Sequence, residues 1–159
     1  MFARHAYGMS RWVDLFSARI PAIEEPALAE LVAAIVRDNA RHMVLFRERA
    51  LAAGVDPDAY LCPSAGEAIY DPIPALPLDE LLGYALGSLE HFAELLETYA
   101  ESAAGADAEA IATVRADNER AIARLGELVG ARGERLKAEA HERYRRRELV
   151  ETPSYAHGR

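Results

Sequence analysis

The chain has 159 residues, 51% of them apolar, a net charge of −8 and one cysteine, Cys62. That length supports a sizeable core without staples, and a lone cysteine excludes an internal disulfide framework and fits a reducing compartment. The acidic balance argues against nucleic acid as the main partner. No apolar run approaches the roughly 20 residues that span a bilayer, and Met1-Phe2-Ala3-Arg4-His5 does not open a signal-peptide stretch. A cytoplasmic protein with no membrane partner is expected.

The composition is rich in Ala and Leu and poor in β-branched runs, which predicts an all-α protein. A first helix is expected from about Arg4 to Ile20, with Phe2, His5, Met9, Trp12, Val13, Phe16 and Ile20 on one face and Pro21 as its stop. A second begins after Pro26 and runs to about Ala53, ended by Gly54; its stripe includes Leu31, Val32, Ile35, Asn39, His42, Met43 and Phe46. A proline-punctuated stretch, Gly54 to Pro77, comes next. A third helix starts near Asp79, a candidate N-cap, and runs to about Ala103, with Leu82, Ala85, Leu86, Leu89, Phe92 and Leu96 inward. The fourth spans about Asp107 to Val129, with Ile111, Val114, Asn118, Ala121, Ile122, Leu125 and Leu128 inward. Gly130 and Gly133 interrupt it. A polar helix from Glu134 to Leu149 succeeds it, with only Leu136, Ala140 and Tyr144 to bury, so it is expected on the surface or on a partner.

The connections set the expected topology. Short links make helices one and two, and three and four, antiparallel hairpins. The second helix should be on the order of 40 Å long. The Gly54–Pro77 stretch can reach about 80 Å extended, enough to run the whole bundle and start the third helix parallel to the second. The organisation expected is a four-helix bundle over 1–130 and a polar helix and tail over 131–159. Arg143, Arg145, Arg146 and Arg147 read as a solvated helix end near the negative dipole pole, with an anion site as the alternative.

One phrase occurs twice. Asp38-Asn39-Ala40-Arg41-His42 lies in the second helix and Asp117-Asn118-Glu119-Arg120-Ala121 in the fourth. The phrase resembles the Asp-Glu-x-Arg-His of the ferritin-like superfamily, the di-iron four-helix bundles that include acyl-carrier-protein desaturases and rubrerythrin-like proteins. The likeness covers the second helix well, from about Leu31 to Tyr60, the fourth in part, and the first and third by position only. One long crossover between two hairpins is also the ferritin-like arrangement.

In that family each hairpin supplies a Glu from its first helix and a Glu-x-x-His pair from its second. Here Asn39 and Asn118 stand for the glutamates and Ala121 for one histidine. Inward positions of the first helix hold Met9, Trp12 and Val13, and those of the third Ala85, Leu89 and Phe92. The resemblance therefore implies a degenerate metal site with only His42 left, and no cofactor is expected, since two iron ions in a dry core need carboxylates. In the family, the Asp before each Glu accepts a hydrogen bond from the opposing hairpin's histidine. Carried over, Asp117 faces His42, Asp38 has lost its partner to Ala121, and Arg41 and Arg120 are available to pair with the aspartates.

These residues open three readings. In the first, His42 and Asp117 form a catalytic or binding pair in a metal-free small-molecule pocket lined by Asn39, Asn118, Met9, Trp12, Phe46 and Leu89. Whether it is an enzyme stays open. In the second, a single metal ion is retained by Asp38, His42 and Asp117, with Glu90 or His91, as in a non-haem iron or mono-metal oxidoreductase. In the third, the polar residues are a satisfied relic network in a helical interaction protein, a homodimer being the form considered. His5 and His91 read as ordinary edge residues. Tyr7 and Tyr84 read as packing residues with solvent-reaching hydroxyls.

Overall fold

The computed structural model describes residues 1–155, and the side chains of all of these except Arg132 and 147–155. Arg147 of the arginine cluster and the end of the expected 131–159 segment lie outside the described side chains and residues. The described chain is all-helical, with α1 Phe2–Ser17, α2 Pro26–Ala52, α3 Ser64–Glu67, α4 Leu78–Ala100, α5 Ala106–Leu128 and α6 Ala131–Tyr155. It divides into two compact units, the first made of 1–62 with 102–117 and the second of 63–101 with the chain from Asn118.

In the first unit α1 lies antiparallel to α2. Its start meets the far end of α2, where the Phe2 and Phe46 rings pack edge to face at 5.1 Å. Phe16, Val32, Ile35, Phe46 and Ala50 are buried there, and an edge-to-face ring pair adds roughly 0.5–1.5 kcal/mol beyond its burial. The helix α1 ends at Ser17, earlier than the sequence suggests, because Pro21 has no N–H to return to the Ser17 carbonyl and its ring crowds that carbonyl, and the chain closes instead into a 3-10 turn over Ile20–Ala22. At the end of α2, Gly54 adopts φ 75°. The Val55 N–H returns to the Ala50 carbonyl and the Gly54 N–H to that of Leu51, a cap that needs the left-handed residue a glycine supplies most easily. The first half of α5 runs antiparallel to α2. Arg49 Nε donates to Asp107 Oδ1 at 2.7 Å near one end, and Asp117 meets His42 further along.

The Gly54–Pro77 stretch is not an extended strap. It folds into 3-10 turns at Pro57–Ala59 and Ile73–Ala75 and the single turn of α3. In the first unit its Tyr60 ring lies 5.7 Å from that of Tyr7, and Asp58 is gripped by both terminal nitrogens of Arg47 at 2.8 and 2.7 Å.

In the second unit Ile69, Tyr70 and Ile73 are buried, and the Tyr84 hydroxyl donates to the Ile69 carbonyl at 2.7 Å. That hydroxyl is therefore an interior anchor rather than a solvent-reaching group, and burial above all pushes its pKa up to about 12. Helix α4 begins at Leu78 with Pro77 as its cap residue. Asp79 sits in the first turn, beside Glu80, rather than at the cap position, and its charge there favours the helix dipole.

Every residue of α4 from Glu80 to Ser88 is buried. One face carries the leucines that periodicity picks out. Another is covered by α6, which lies parallel to α4: Gly83 meets Gly133, and one turn on Gly87 meets Lys137 and Ala140. A Cβ on Gly83 would collide with the Gly133 carbonyl, and one on Gly87 with the Lys137 carbonyl. The polar sixth helix is thus part of the second unit's interior, with Leu136 and Ala140 buried. Helix–helix separation depends on the side chains at the contact, and glycine layers let two backbones touch.

Candidate functional site

The repeated phrase supplies a deeply buried polar pair to the first unit. His42 and Asp117 are 6% and 5% exposed. Their register follows from helix periodicity: His42 shares the α2 stripe with Ile35 and Phe46, and Asp117 follows Ala110 and Val114 on α5. His42 Nε2 lies 2.8 Å from Asp117 Oδ2. The same oxygen accepts a hydrogen bond from Arg41 Nη2. An ionised carboxylate only accepts, so the His42 proton resides on Nε2 and leaves Nδ1 with its lone pair.

The charge balance fixes the state of the ring. Arg41 already offsets the Asp117 charge, so a second cation on the same carboxylate gains little and loses its hydration. Burial first, and then the nearby Arg41 guanidinium, lower the His42 pKa from 6.5 to about 4, against a weaker upward pull from Asp38. His42 is therefore a neutral imidazole near pH 7, with its tautomer set by Asp117.

The other candidates distribute differently. Asn39 is half-buried, and its Nδ2 donates to the Ile35 carbonyl one turn back at 2.9 Å. Asp38 is half-buried as well and accepts from Arg37 Nε and Nη2 at 3.1 and 3.0 Å. Met9 and Phe46 are buried in the first unit, and Trp12 is half-buried with its ring 5.0 Å from that of Phe16. Asn118 and Leu89 belong to the second unit. There Asn118, 4% exposed, donates from Nδ2 to the Leu89 carbonyl at 2.9 Å, tying α5 to α4. Each amide thus spends one N–H on a backbone carbonyl and retains a second N–H and its own carbonyl oxygen.

This donor set does not fit a pair of iron ions. At the repeated motif the amides donate to backbone carbonyls, and each aspartate is held by an arginine. There remains one imidazole whose Nε2 is already engaged. Two divalent cations in a low-dielectric interior need several unengaged carboxylates.

A different constellation emerges in the second unit. His91 and Glu94, one turn apart on α4, stand with His141 of α6, and one ligand atom from each lies within 4.8 Å of the others. Apolar periodicity makes His91 an edge residue and gives His141 no role, whereas the structure buries the first against α6 and brings the second beside it. The pattern that marks them is a pair of matched four-residue ladders, Gly83-Gly87-His91 and Gly133-Lys137-His141, which place both histidines one turn beyond the glycine contacts. No known protein family, curated protein or solved structure matches the chain.

Proposed function

We propose that the first unit carries a metal-free site for a small molecule bearing a hydroxyl or carbonyl group, with His42 as proton acceptor and Asp117 as the residue that orients it. The observation that carries this reading is the buried His42 Nε2–Asp117 Oδ2 pair at 2.8 Å. A carboxylate that fixes one ring nitrogen as a donor leaves the other as an acceptor, and an imidazole kept neutral presents that lone pair unprotonated at pH 7. Met9, Trp12 and Phe46 supply apolar surroundings from the same unit, and Asn39 is the amide nearest in sequence for a ligand's polar group. A ferritin-like ancestry is the source we propose for the repeated phrase. The antiparallel α1–α2 hairpin and the antiparallel run of α2 beside α5 support it.

The test is native mass spectrometry of the purified chain, followed by NMR of the His42 ring against a panel of small alcohols, ketones and carboxylic acids. Expected is a bound species, or a saturable shift of the His42 resonances, that disappears in His42→Ala while the helical fold persists. Unmoved His42 resonances across the panel, with no bound species in wild type, would remove the proposal.

A second reading has its own observation. Val44, Leu51, Val55 and Leu61 are half or more exposed along and beyond the far part of α2, which suits self-association of a bundle whose polar network is structural. Sedimentation equilibrium distinguishes it: a dimer dissociated by Leu51→Glu or Leu61→Glu supports association, and a monomer rejects it. Among the described residues no helix is long and apolar enough to cross a membrane.

A further inference from the structure

We propose that His91, Glu94 and His141 form a binding site for one divalent transition-metal ion, of which zinc(II) is the best match. The site is built by the α4–α6 seam. Gly83 meets Gly133 and Gly87 meets Lys137 through backbone contacts, and the next turn of this parallel pair brings His91 to His141, with ring centres 5.8 Å apart. Glu94 stands three residues after His91, the spacing that puts two side chains on one helix face.

The distances suit coordination better than hydrogen bonding. His141 Nε2 lies 3.2 Å from Glu94 Oε1, without the alignment of a hydrogen bond although that nitrogen is buried. His91 Nδ1 lies 3.7 Å from Glu94 Oε2. Bonds of about 2.0–2.1 Å to zinc, at tetrahedral angles, put neighbouring donor atoms roughly 3.3 Å apart. Both observed separations fall close to that edge, so small rotations of side chains close the site.

Two imidazoles and one carboxylate form a nitrogen-rich set that favours zinc, cobalt or iron(II) over magnesium and calcium, which prefer oxygen ligands. Burial differs usefully among the three. His91 is 3% exposed and fixed by packing, with the Tyr144 ring 5.9 Å from its own, whereas Glu94 is exposed and His141 half-exposed. An ion can therefore enter from the Glu94 side, and three protein ligands leave a position for water or a further ligand. Nearby, Glu90 pairs with Lys137 at 3.5 Å, and the lysine also reaches Glu134 at 3.1 Å, which offsets its positive charge beside the site. None of these residues belongs to the His42 network, so this site stands or falls apart from the function proposed above.

The experiment uses the full chain, stripped with a chelator and dialysed. Zinc(II) is titrated by calorimetry, and cobalt(II) by the visible ligand-field bands that report four- or five-coordinate geometry. Expected is saturable binding of one ion per chain, a rise in Tm with zinc, and at least about a tenfold loss of affinity in His141→Ala and in Glu94→Gln. Glu94 is exposed and His141 half-exposed, and circular dichroism checks that the helices persist. His42→Ala should bind as wild type. Absence of saturable binding, unchanged affinity in both His141→Ala and Glu94→Gln, or loss of binding in His42→Ala would each overturn the assignment.

Discussion

His42 is a base that the fold keeps uncharged, and this has a measurable consequence for stability. Its folded pKa is about 4, against 6.5 for the unperturbed group. Between those values the unfolded chain binds the proton that the folded chain refuses. Stability from this group is therefore complete above about pH 6.5 and is lost as pH falls toward 4. The amount is on the order of 3 kcal/mol, since a tenfold difference in proton affinity corresponds to about 1.4 kcal/mol. Urea unfolding of wild type and His42→Gln at a series of pH values should show a shallower acid-side decline in the variant, and parallel curves would refute it. NMR of the ring should show Nε2 protonated and a midpoint well below 6; a midpoint near 6.5 would mean that Asp117 favours the imidazolium more than burial and Arg41 oppose it. Asp117 itself accepts from both Arg41 and His42, so removing it strands a buried imidazole N–H. Asp117→Ala should destabilise by roughly 1–3 kcal/mol. Asp117→Asn, which retains an acceptor oxygen, should be milder by chemical denaturation; equal losses would show that charge rather than hydrogen bonding holds the pair.

Among the elements, the α4–α6 seam shows most clearly what the amino-acid pattern reveals and what it hides. The apolar stripes that define α1, α2, α4 and α5 are readable because leucine, isoleucine and phenylalanine recur every three or four residues. The partnership of His42 with Asp117 is legible only through the resemblance of the repeated phrase to the ferritin-like motif, because apolar periodicity alone puts His42 on its stripe and leaves Asp117 off it. The seam is legible in neither way. It buries glycine backbone instead of apolar side chains, so α6 shows only Leu136, Ala140 and Tyr144 and looks like a surface helix. Gly133 looks like an interruption, yet it lies inside α6, where a Cβ would come within 2.8 Å of Val129 Cγ1 and 3.1 Å of the Asp79 carbonyl oxygen. A glycine inside a helix ordinarily costs about 1 kcal/mol relative to alanine, so Gly126→Ala in α5, with nothing within 4 Å of the added Cβ, should stabilise by about 0.5–1 kcal/mol. Gly83→Ala and Gly87→Ala have the same intrinsic gain but drive a methyl group into carbonyls of α6. They should destabilise by about 1–3 kcal/mol, as overpacking does. Thermal melts of the three variants decide it, and a stabilising Gly83→Ala would show that α6 moves away freely.

At the scale of the whole molecule, the polar last helix changes where the fold ends. Helical patterning places the bundle over 1–130 and makes an appendage of the residues beyond it, whereas α6 packs along α4 in the second unit and covers its glycine face. Helix α5 passes from one unit to the other between Asp117 and Asn118, so the two asparagine-bearing phrases serve different ends. At Asp117 the second phrase joins α5 to His42 in the first unit, and at Asn118 it ties α5 to α4 in the second. A chain shortened after Gly130 loses the burial of Leu136 and Ala140 and uncovers Gly83, Gly87 and His91. Exposed helical backbone and a buried-type histidine in water leave α4 without a large part of its packing, and a large-to-small change at one core position alone costs about 2–5 kcal/mol. The truncated chain should therefore unfold at least about 3 kcal/mol more easily than the full one, and Leu136→Ala in the full chain should reproduce a large part of that loss. Because the His42–Asp117 pair lies in the first unit, the low midpoint of His42 should survive Leu136→Ala under conditions where the variant stays folded. An unchanged urea midpoint in the shortened chain would show that α6 adds nothing to α4, whereas a His42 midpoint that moves with Leu136 would show that the two units share one cooperative core.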